Sequence, residues 1–183
     1  MKKLALLSIV MFLVIVCKAQ KTPSKIDVRF GFGSSLLGSG DMHTLMFENE
    51  LNLKLSKYWT VGGGLGFAKS NKGVFEQASF IQANSNIYIS PLKNNGKNDF
   101  RLGTGLSWYT VSDVYLSSAR YQNGQLISSG YEFDNRKSIG LNVIIENTYL
   151  LSAKYMIGIK LFTQPYQNGD INSGILLKFG TKI

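Results

Sequence analysis

Residues 170–183 read DINSGILLKFGTKI and alternate between apolar and polar positions, with Leu176 as the chief exception. The apolar members of the odd-numbered series are Ile171, Ile175, Leu177, Phe179 and Ile183. Because successive side chains of a β-strand point to opposite faces, this pattern predicts a strand with one face toward lipid and the other toward water. The run is long enough to cross a bilayer as a tilted strand. A lone strand would leave backbone groups unpaired in lipid, so the stretch predicts a closed barrel.

Seven further stretches show the same period-two alternation, and turn signals such as Asn95-Gly96 and Asn168-Gly169 separate them. They span residues 26–37, 43–55, 59–68, 75–90, a run that starts at 99, 138–149 and 155–167. An even number of strands joined as successive hairpins brings both chain ends to one side, which would be the periplasm. The sequence therefore predicts an all-β fold, an eight-stranded antiparallel up-and-down transmembrane β-barrel.

The N-terminus has the three parts of a secretory signal peptide. Lys2 and Lys3 form the positive region, residues 4–16 are apolar, and Cys17-Lys18-Ala19 provides a small-x-small cleavage site. We expect a signal peptide over residues 1–19 and one barrel domain over residues 20–183. Cleavage would lower the formal charge from +9 to +6, because three lysines are lost. A lipoprotein acylated at Cys17 is the alternative.

The remaining composition argues against several classes of function. Lys and Arg are scattered singly instead of forming a stripe, which disfavours nucleic-acid binding. The sequence has one histidine, and its only cysteine lies in the predicted signal peptide, so no metal site is expected. No phosphate-cradling loop is present, and we predict no cofactor.

Charged residues of both signs occupy the face that would line the lumen. The predicted lumen network comprises Asp27, Arg29, Glu48, Glu50, Arg101, Glu146, Lys160 and Lys178. The bore of an eight-stranded barrel is just wide enough for side chains to fill it. The set therefore predicts a plug of ion pairs and hydrogen bonds, and a narrow porin-like path for ions or small solutes is the alternative.

The longest connection, residues 111–137, contains two strand-like runs that meet at Asn123-Gly124, a strong hairpin signal. We expect the fifth and sixth strands to continue past the membrane as an extracellular ribbon. Its predicted contact residues, apart from the turn, are Tyr115, Tyr121, Tyr131 and Phe133. Such a ribbon would expose strand edges to an unknown surface protein partner.

Aromatic residues fall near both predicted ends of the strands, as expected of two belts at the membrane interfaces. They are Trp59, Phe100, Tyr149 and Tyr155 toward the periplasm, and Phe67 and Trp108 toward the outside. The basic residues Lys69, Lys72, Arg136 and Lys137 lie where lipopolysaccharide phosphates would be. Lipid and lipopolysaccharide are thus the expected surroundings.

Two alternatives would give the chain a different function: a lipid A-modifying enzyme and a soluble lipocalin-like barrel. Some eight-stranded barrels modify lipid A with a Ser, His and acid set at the outer rim, and here His43 lies near Ser39 and Asp41. The surroundings of His43 are ordinary for a loop, and we predict that the chain is not an enzyme. A soluble lipocalin-like barrel would need an apolar interior, whereas the inward face here carries Gly, Lys, Glu and Asn.

The Ala19-Gln20 junction, the eight alternating strands and the closing run 174–179 resemble small outer-membrane β-barrel proteins of the Bacteroidota type, akin to the OmpA membrane domain and OmpX. The resemblance implies a location in the cell outer membrane and a structural or surface-interaction role. It also implies that the last strand is read by the outer-membrane assembly machinery. In that family the strand often ends in an aromatic residue, whereas here Phe179 precedes the terminal Ile183 by four positions.

Overall fold

The computed structural model describes residues 25–38, 42–71, 76–92 and 96–183, with the backbone alone for Asn71 and Glu76. The strands are β1 (Ile26–Leu37), β2 (Met42–Lys54), β3 (Trp59–Asn71), β4 (Glu76–Ile89), β5 (Asn98–Gln122), β6 (Gln125–Leu150), β7 (Tyr155–Pro165) and β8 (Ile171–Lys182). Each strand pairs antiparallel with the next, and β8 pairs with β1, so the sheet closes into a barrel. The predicted fold class is confirmed. The predicted signal peptide, together with Ser39, Asp41 and Lys72, lies outside the described residues.

The predicted strand ends differ from the observed ones by a few residues. β3 continues to Asn71, three residues past its predicted end. β7 ends at Pro165, two residues before its predicted end, and Tyr166 forms only an isolated bridge with Gly140. Proline has no N–H to donate to a strand ladder, which accounts for the earlier end of β7.

Large apolar side chains cover the outside of the barrel. In β8 the odd-numbered residues Ile175, Leu177 and Phe179 are 50%, 40% and 47% exposed. Side chains of the same kind alternate outward on the other strands, among them Phe30, Phe32, Leu45, Leu65, Ile81, Leu106, Leu141 and Ile159. A continuous apolar surface of this extent around a closed sheet suits lipid and not water. None of the described residues belongs to a helix long and apolar enough to cross a membrane.

β5 and β6 are about twice as long as the other strands, at 25 and 26 residues. The two strands pair continuously from Asn98 with Tyr149 to Gln122 with Gln125, apart from two register shifts near the tip. The turn residues Asn123 and Gly124 have φ values of 53° and 80°, as a type I′ hairpin turn requires. The part beyond the barrel is the protruding hairpin expected from the sequence. We call residues 114–133 the ribbon, of which Val114 and Tyr115 still pair with β4.

The inward-facing side chains form the core of the molecule, and the core has two halves. We call the opening beside the ribbon the ribbon end, and the opening where β1 begins and β8 ends the terminus end. Charged side chains fill the half toward the terminus end. Apolar side chains fill much of the other half, including Leu37, Met42, Met46, Phe80, Val111, Phe162 and Leu176. Leu176, the exception in the β8 pattern, is fully buried there.

Candidate functional site in the barrel lumen

Two lysines from β7 and β8 bind two glutamates of β2 at the centre of the charged half. Lys160 Nζ donates to Glu48 Oε1 at 2.6 Å and to Glu50 Oε2 at 3.1 Å. Lys178 Nζ contacts the same two atoms at 2.8 Å and 3.1 Å. Glu48 and Glu50 point inward together because they are two residues apart on one strand. Each ammonium group therefore bridges two carboxylates.

Two arginines extend this arrangement across the lumen to β6. Arg101 Nη2 donates to Glu50 Oε1 at 3.1 Å and to Glu146 Oε1 at 2.9 Å. Arg29 Nη1 donates to the same Glu146 oxygen and, at 2.8 Å, to the Thr148 hydroxyl. The Arg29 Nε atom binds Asp27 at 2.6 Å. Glu146 thus links two arginines that come from strands on different sides of the barrel.

The structure brings all eight predicted lumen residues into this one network, which holds four acids and four bases. Apart from Asp27, which reaches toward the terminus end, each is at most 3% exposed. Buried charges require partners, and a network with equal numbers of each sign meets this requirement. The ring of Tyr88 adds a further contact, since the Arg101 guanidinium carbon lies 4.1 Å from its centroid.

A layer of side-chain amides separates the ions from the apolar half. Asn142 donates to Asn86 at 2.6 Å, and Asn172 donates to Gln164 at 2.9 Å. The Gln164 side-chain nitrogen in turn donates to the Asn84 side-chain oxygen at 3.3 Å. The sequence alternation placed several of these amides on the inward face but did not reveal their contacts. Because their partners lie on distant strands, only the closed barrel shows that they form one layer.

A second, smaller group of charges lies at the ribbon end. Arg136 binds Asp113 and also contacts Asp170 at 3.4 Å and Asp134 at 3.5 Å. Arg136 is therefore engaged with these acids, although its side chain is 34% exposed, and its contact with lipopolysaccharide stays a prediction. The Tyr109 hydroxyl also donates to Asp170 and closes the group on the lumen side.

The predicted ribbon and belt residues lie on the outer surface. Among the ribbon residues, Phe133 is 76% exposed and Tyr121 is 59% exposed. The Tyr115 hydroxyl donates to Glu132 at 3.1 Å, and this hydrogen bond raises the pKa of the tyrosine. The six belt residues also face away from the lumen: Trp59, Phe67, Phe100, Trp108, Tyr149 and Tyr155. Their contact with a membrane interface and the extracellular position of the ribbon stay predictions.

His43 faces outward and contacts a serine that the sequence did not single out. Its Nε2 atom lies 2.7 Å from the Ser34 hydroxyl across the β1–β2 pair. A hydrolytic set needs an acid to orient the histidine. Within residues 25–38, 42–71, 76–92 and 96–183, no carboxylate forms a hydrogen bond or ion pair with the His43 ring. The same ranges contain no group of three or more His, Cys, Asp or Glu side chains that is placed to hold a metal ion.

No protein-family model and no curated protein sequence matches the chain. Solved structures do match it. Ail of Yersinia pestis is 11% identical with a TM-score of 0.58, and the match covers 86% of this chain and 97% of Ail. OprG of Pseudomonas aeruginosa is 10% identical with a TM-score of 0.57, and coverage is 87% and 96%. Neisserial surface protein A is 12% identical with a TM-score of 0.57, and coverage is 88% and 98%. The chain is therefore similar over nearly the full length of these proteins, and its fold is that of the eight-stranded outer-membrane β-barrels.

Proposed function

We propose that the chain is an outer-membrane protein whose sealed barrel holds the ribbon at the cell surface, with a structural or surface-interaction role. The observation that carries this proposal is the contrast between the two sides of the sheet: apolar side chains outside and a balanced ion network inside. The sequence features shared with Bacteroidota barrels suggest that type of outer membrane. Interaction with lipid, lipopolysaccharide and the assembly machinery follows from this location.

The ion network favours a seal over a channel. A water-filled path along the lumen would have to separate Glu146 from Arg101, or Glu48 and Glu50 from their lysines. Each separation would leave a charge that is almost inaccessible to solvent without its partner. Apolar side chains such as Phe80 and Leu176, which make up much of the ribbon-end half, cannot replace the hydration shell of a passing ion. A narrow channel is the second candidate, and it requires the network to open.

Membrane insertion predicts a heat-dependent gel shift. The protein should co-fractionate with outer membranes, migrate compactly in cold SDS and move to its full apparent mass after boiling, because a closed ladder of eight strands resists the detergent. A soluble lipocalin-like barrel would instead appear in the periplasmic fraction and show no shift. That result would overturn the lipid-facing assignment of Ile175, Leu177 and Phe179.

Planar-bilayer recordings separate the seal from the channel. With the folded protein in a bilayer, we expect no open steps at neutral pH, because the ions of the network satisfy one another across the lumen. The Glu146→Gln variant lacks the carboxylate shared by two arginines. In the same recordings, open steps are expected from this variant and not from the unchanged protein. Reproducible unit conductance from the unchanged protein would favour the porin-like alternative.

The ribbon supports the surface-interaction part of the proposal. The crystal structure of Ail contains the heparin analogue sucrose octasulfate, so a barrel of this fold can bind a ligand. In the present chain the ribbon carries exposed apolar side chains away from the lipid-facing band, including Leu126, Ile127 and Phe133. Exposed apolar groups outside a membrane are typical of a contact surface for another protein.

Shortening the ribbon should leave the barrel intact. A variant in which residues 114–133 are replaced by an Asn-Gly turn keeps the pairing of β5 with β6 from Asn98 to Asp113. We therefore expect an unchanged SDS shift and unfolding midpoint, together with loss of any cell-surface binding that the full chain shows. If the shortened variant failed to form a heat-modifiable barrel, the ribbon would have a folding role that this proposal does not give it.

A further inference from the structure

The barrel opens at its terminus end into a vestibule of about 420 Å³. This volume suits a small molecule. Lysines from four separate positions surround the opening: Lys25, Lys54, Lys57 and Lys182. Two arginines of the ion network, Arg29 and Arg101, contribute to its inner wall. The vestibule is thus a cavity that begins at an exposed basic rim and ends at buried guanidinium groups.

Positive charge exceeds negative charge in this cavity. Six basic residues line it, but only two acidic ones, Asp27 and Asp99. Arg29, Arg101 and Asp27 belong to the balanced ion network. The excess therefore comes from the four rim lysines. Asp27 already accepts hydrogen bonds from Arg29 and, at 3.1 Å, from the Asn52 amide. In the part of the chain that the structure describes, the four rim lysines form no ion pair. A cavity with low-dielectric walls and an excess of one sign concentrates ligands of the opposite sign.

Arg101 has an unsatisfied donor behind the inner wall of the vestibule. Its side chain is 1% exposed and lines the vestibule. Its Nη2 atom is bound to Glu50 and Glu146, but its Nε–H, among the described residues, has no acceptor. A buried guanidinium N–H without an acceptor is costly. This Nε atom is itself inaccessible to solvent, so an oxyanion in the vestibule acts on it through its charge and binds it only after the guanidinium turns toward the opening.

We propose that the vestibule binds a small ligand carrying phosphate or carboxylate groups. The rim lysines attract the anion, and the positive charges of Arg29 and Arg101 lie along the inner wall. Hydroxyl groups of Ser56 and Thr60 line the same cavity and can donate to further oxygens of the ligand. The binding site does not depend on whether the lumen is sealed, because the ligand enters and leaves by the same opening.

Calorimetric titration of the detergent-extracted protein with pyrophosphate, and separately with citrate, tests the proposal. We expect saturable binding of at least one of these probes, and the preferred probe identifies the oxyanion. In the double variant Lys54→Gln and Lys57→Gln, affinity should fall roughly tenfold, the loss that two partly exposed ion pairs of ordinary strength would produce. Both lysines are exposed and outside the ion network, so the variant should keep the cold SDS mobility of the unchanged protein.

The double variant Lys69→Gln and Lys137→Gln is the matched control. It removes the same charge from exposed positions near the other end of the barrel. Its affinity for the probe should equal that of the unchanged protein. Absence of saturable binding to both probes would overturn the proposal. Equal weakening by the two double variants would also overturn it, because the attraction would then come from overall charge.

Discussion

Replacing Arg101 with alanine is expected to lower the free energy of unfolding by about 3–5 kcal/mol, the usual cost of breaking a buried ion pair from one side. The guanidinium contacts Glu50 at 3.1 Å and Glu146 at 2.9 Å, and all three side chains are inaccessible to solvent or nearly so. Without it, the network keeps four acids but only three bases. Equilibrium unfolding of the folded protein in lipid vesicles, by urea or guanidinium, measures the loss.

A compensating change distinguishes the charge effect from lost packing. In the double variant Arg101→Met and Glu146→Gln, the remaining ions are again equal in number, and methionine retains apolar contact with Tyr88. We expect this variant to recover part of the stability that Arg101→Ala loses. Arg120→Ala, on the exposed ribbon, is the control and should be neutral. An unfolding midpoint of Arg101→Ala equal to that of the unchanged protein would contradict the ion-network account.

The alternation of the sequence predicted the eight strands and their two faces because side-chain direction in a strand depends only on position along the chain. Leu177 and Lys178 illustrate this: one is 40% exposed on the outside, and the other is buried in the lumen. Glu48 and Glu50 could likewise be assigned to one face from their spacing. The continuation of β5 and β6 into the ribbon followed from Asn123-Gly124.

The contacts across the lumen could not be predicted in the same way. Arg29 and Glu146 are 117 residues apart, and they meet because the stagger of the closed sheet brings β1 opposite β6 at that level. The period-two alternation within a strand does not tell how far neighbouring strands are shifted along one another. It pointed to a polar lumen with Leu176 as the chief exception, whereas inward residues such as Phe80 and Leu176 make much of the ribbon-end half apolar. A hydrophobic residue on the inward face therefore signals a core position and not an error in register.

Alanine at Gly105 should be among the most damaging single methyl additions in the barrel wall, with an expected loss of about 3 kcal/mol in unfolding free energy, near the upper end of overpacking costs. A Cβ atom at this position would lie 2.0 Å from the Ser85 carbonyl oxygen and 2.5 Å from the Asn86 side-chain oxygen. The first contact is with backbone, so β4 itself would have to move. The second would displace the amide that accepts from Asn142 at 2.6 Å.

The Gly63→Ala variant tests whether the close approach of β4 to position 105 causes the loss of stability in Gly105→Ala. Gly63 also lies within a strand, but it faces outward and its Cβ would have no neighbour nearer than 3.7 Å. Since alanine restricts the unfolded chain more than glycine, this variant should be neutral or slightly stabilising. The difference between the two variants, measured by denaturant unfolding in the same vesicles, therefore reports the cost of separating β4 from β5. Equal effects of Gly105→Ala and Gly63→Ala would show that the wall yields at Gly105, and the amide layer would then not be closely packed.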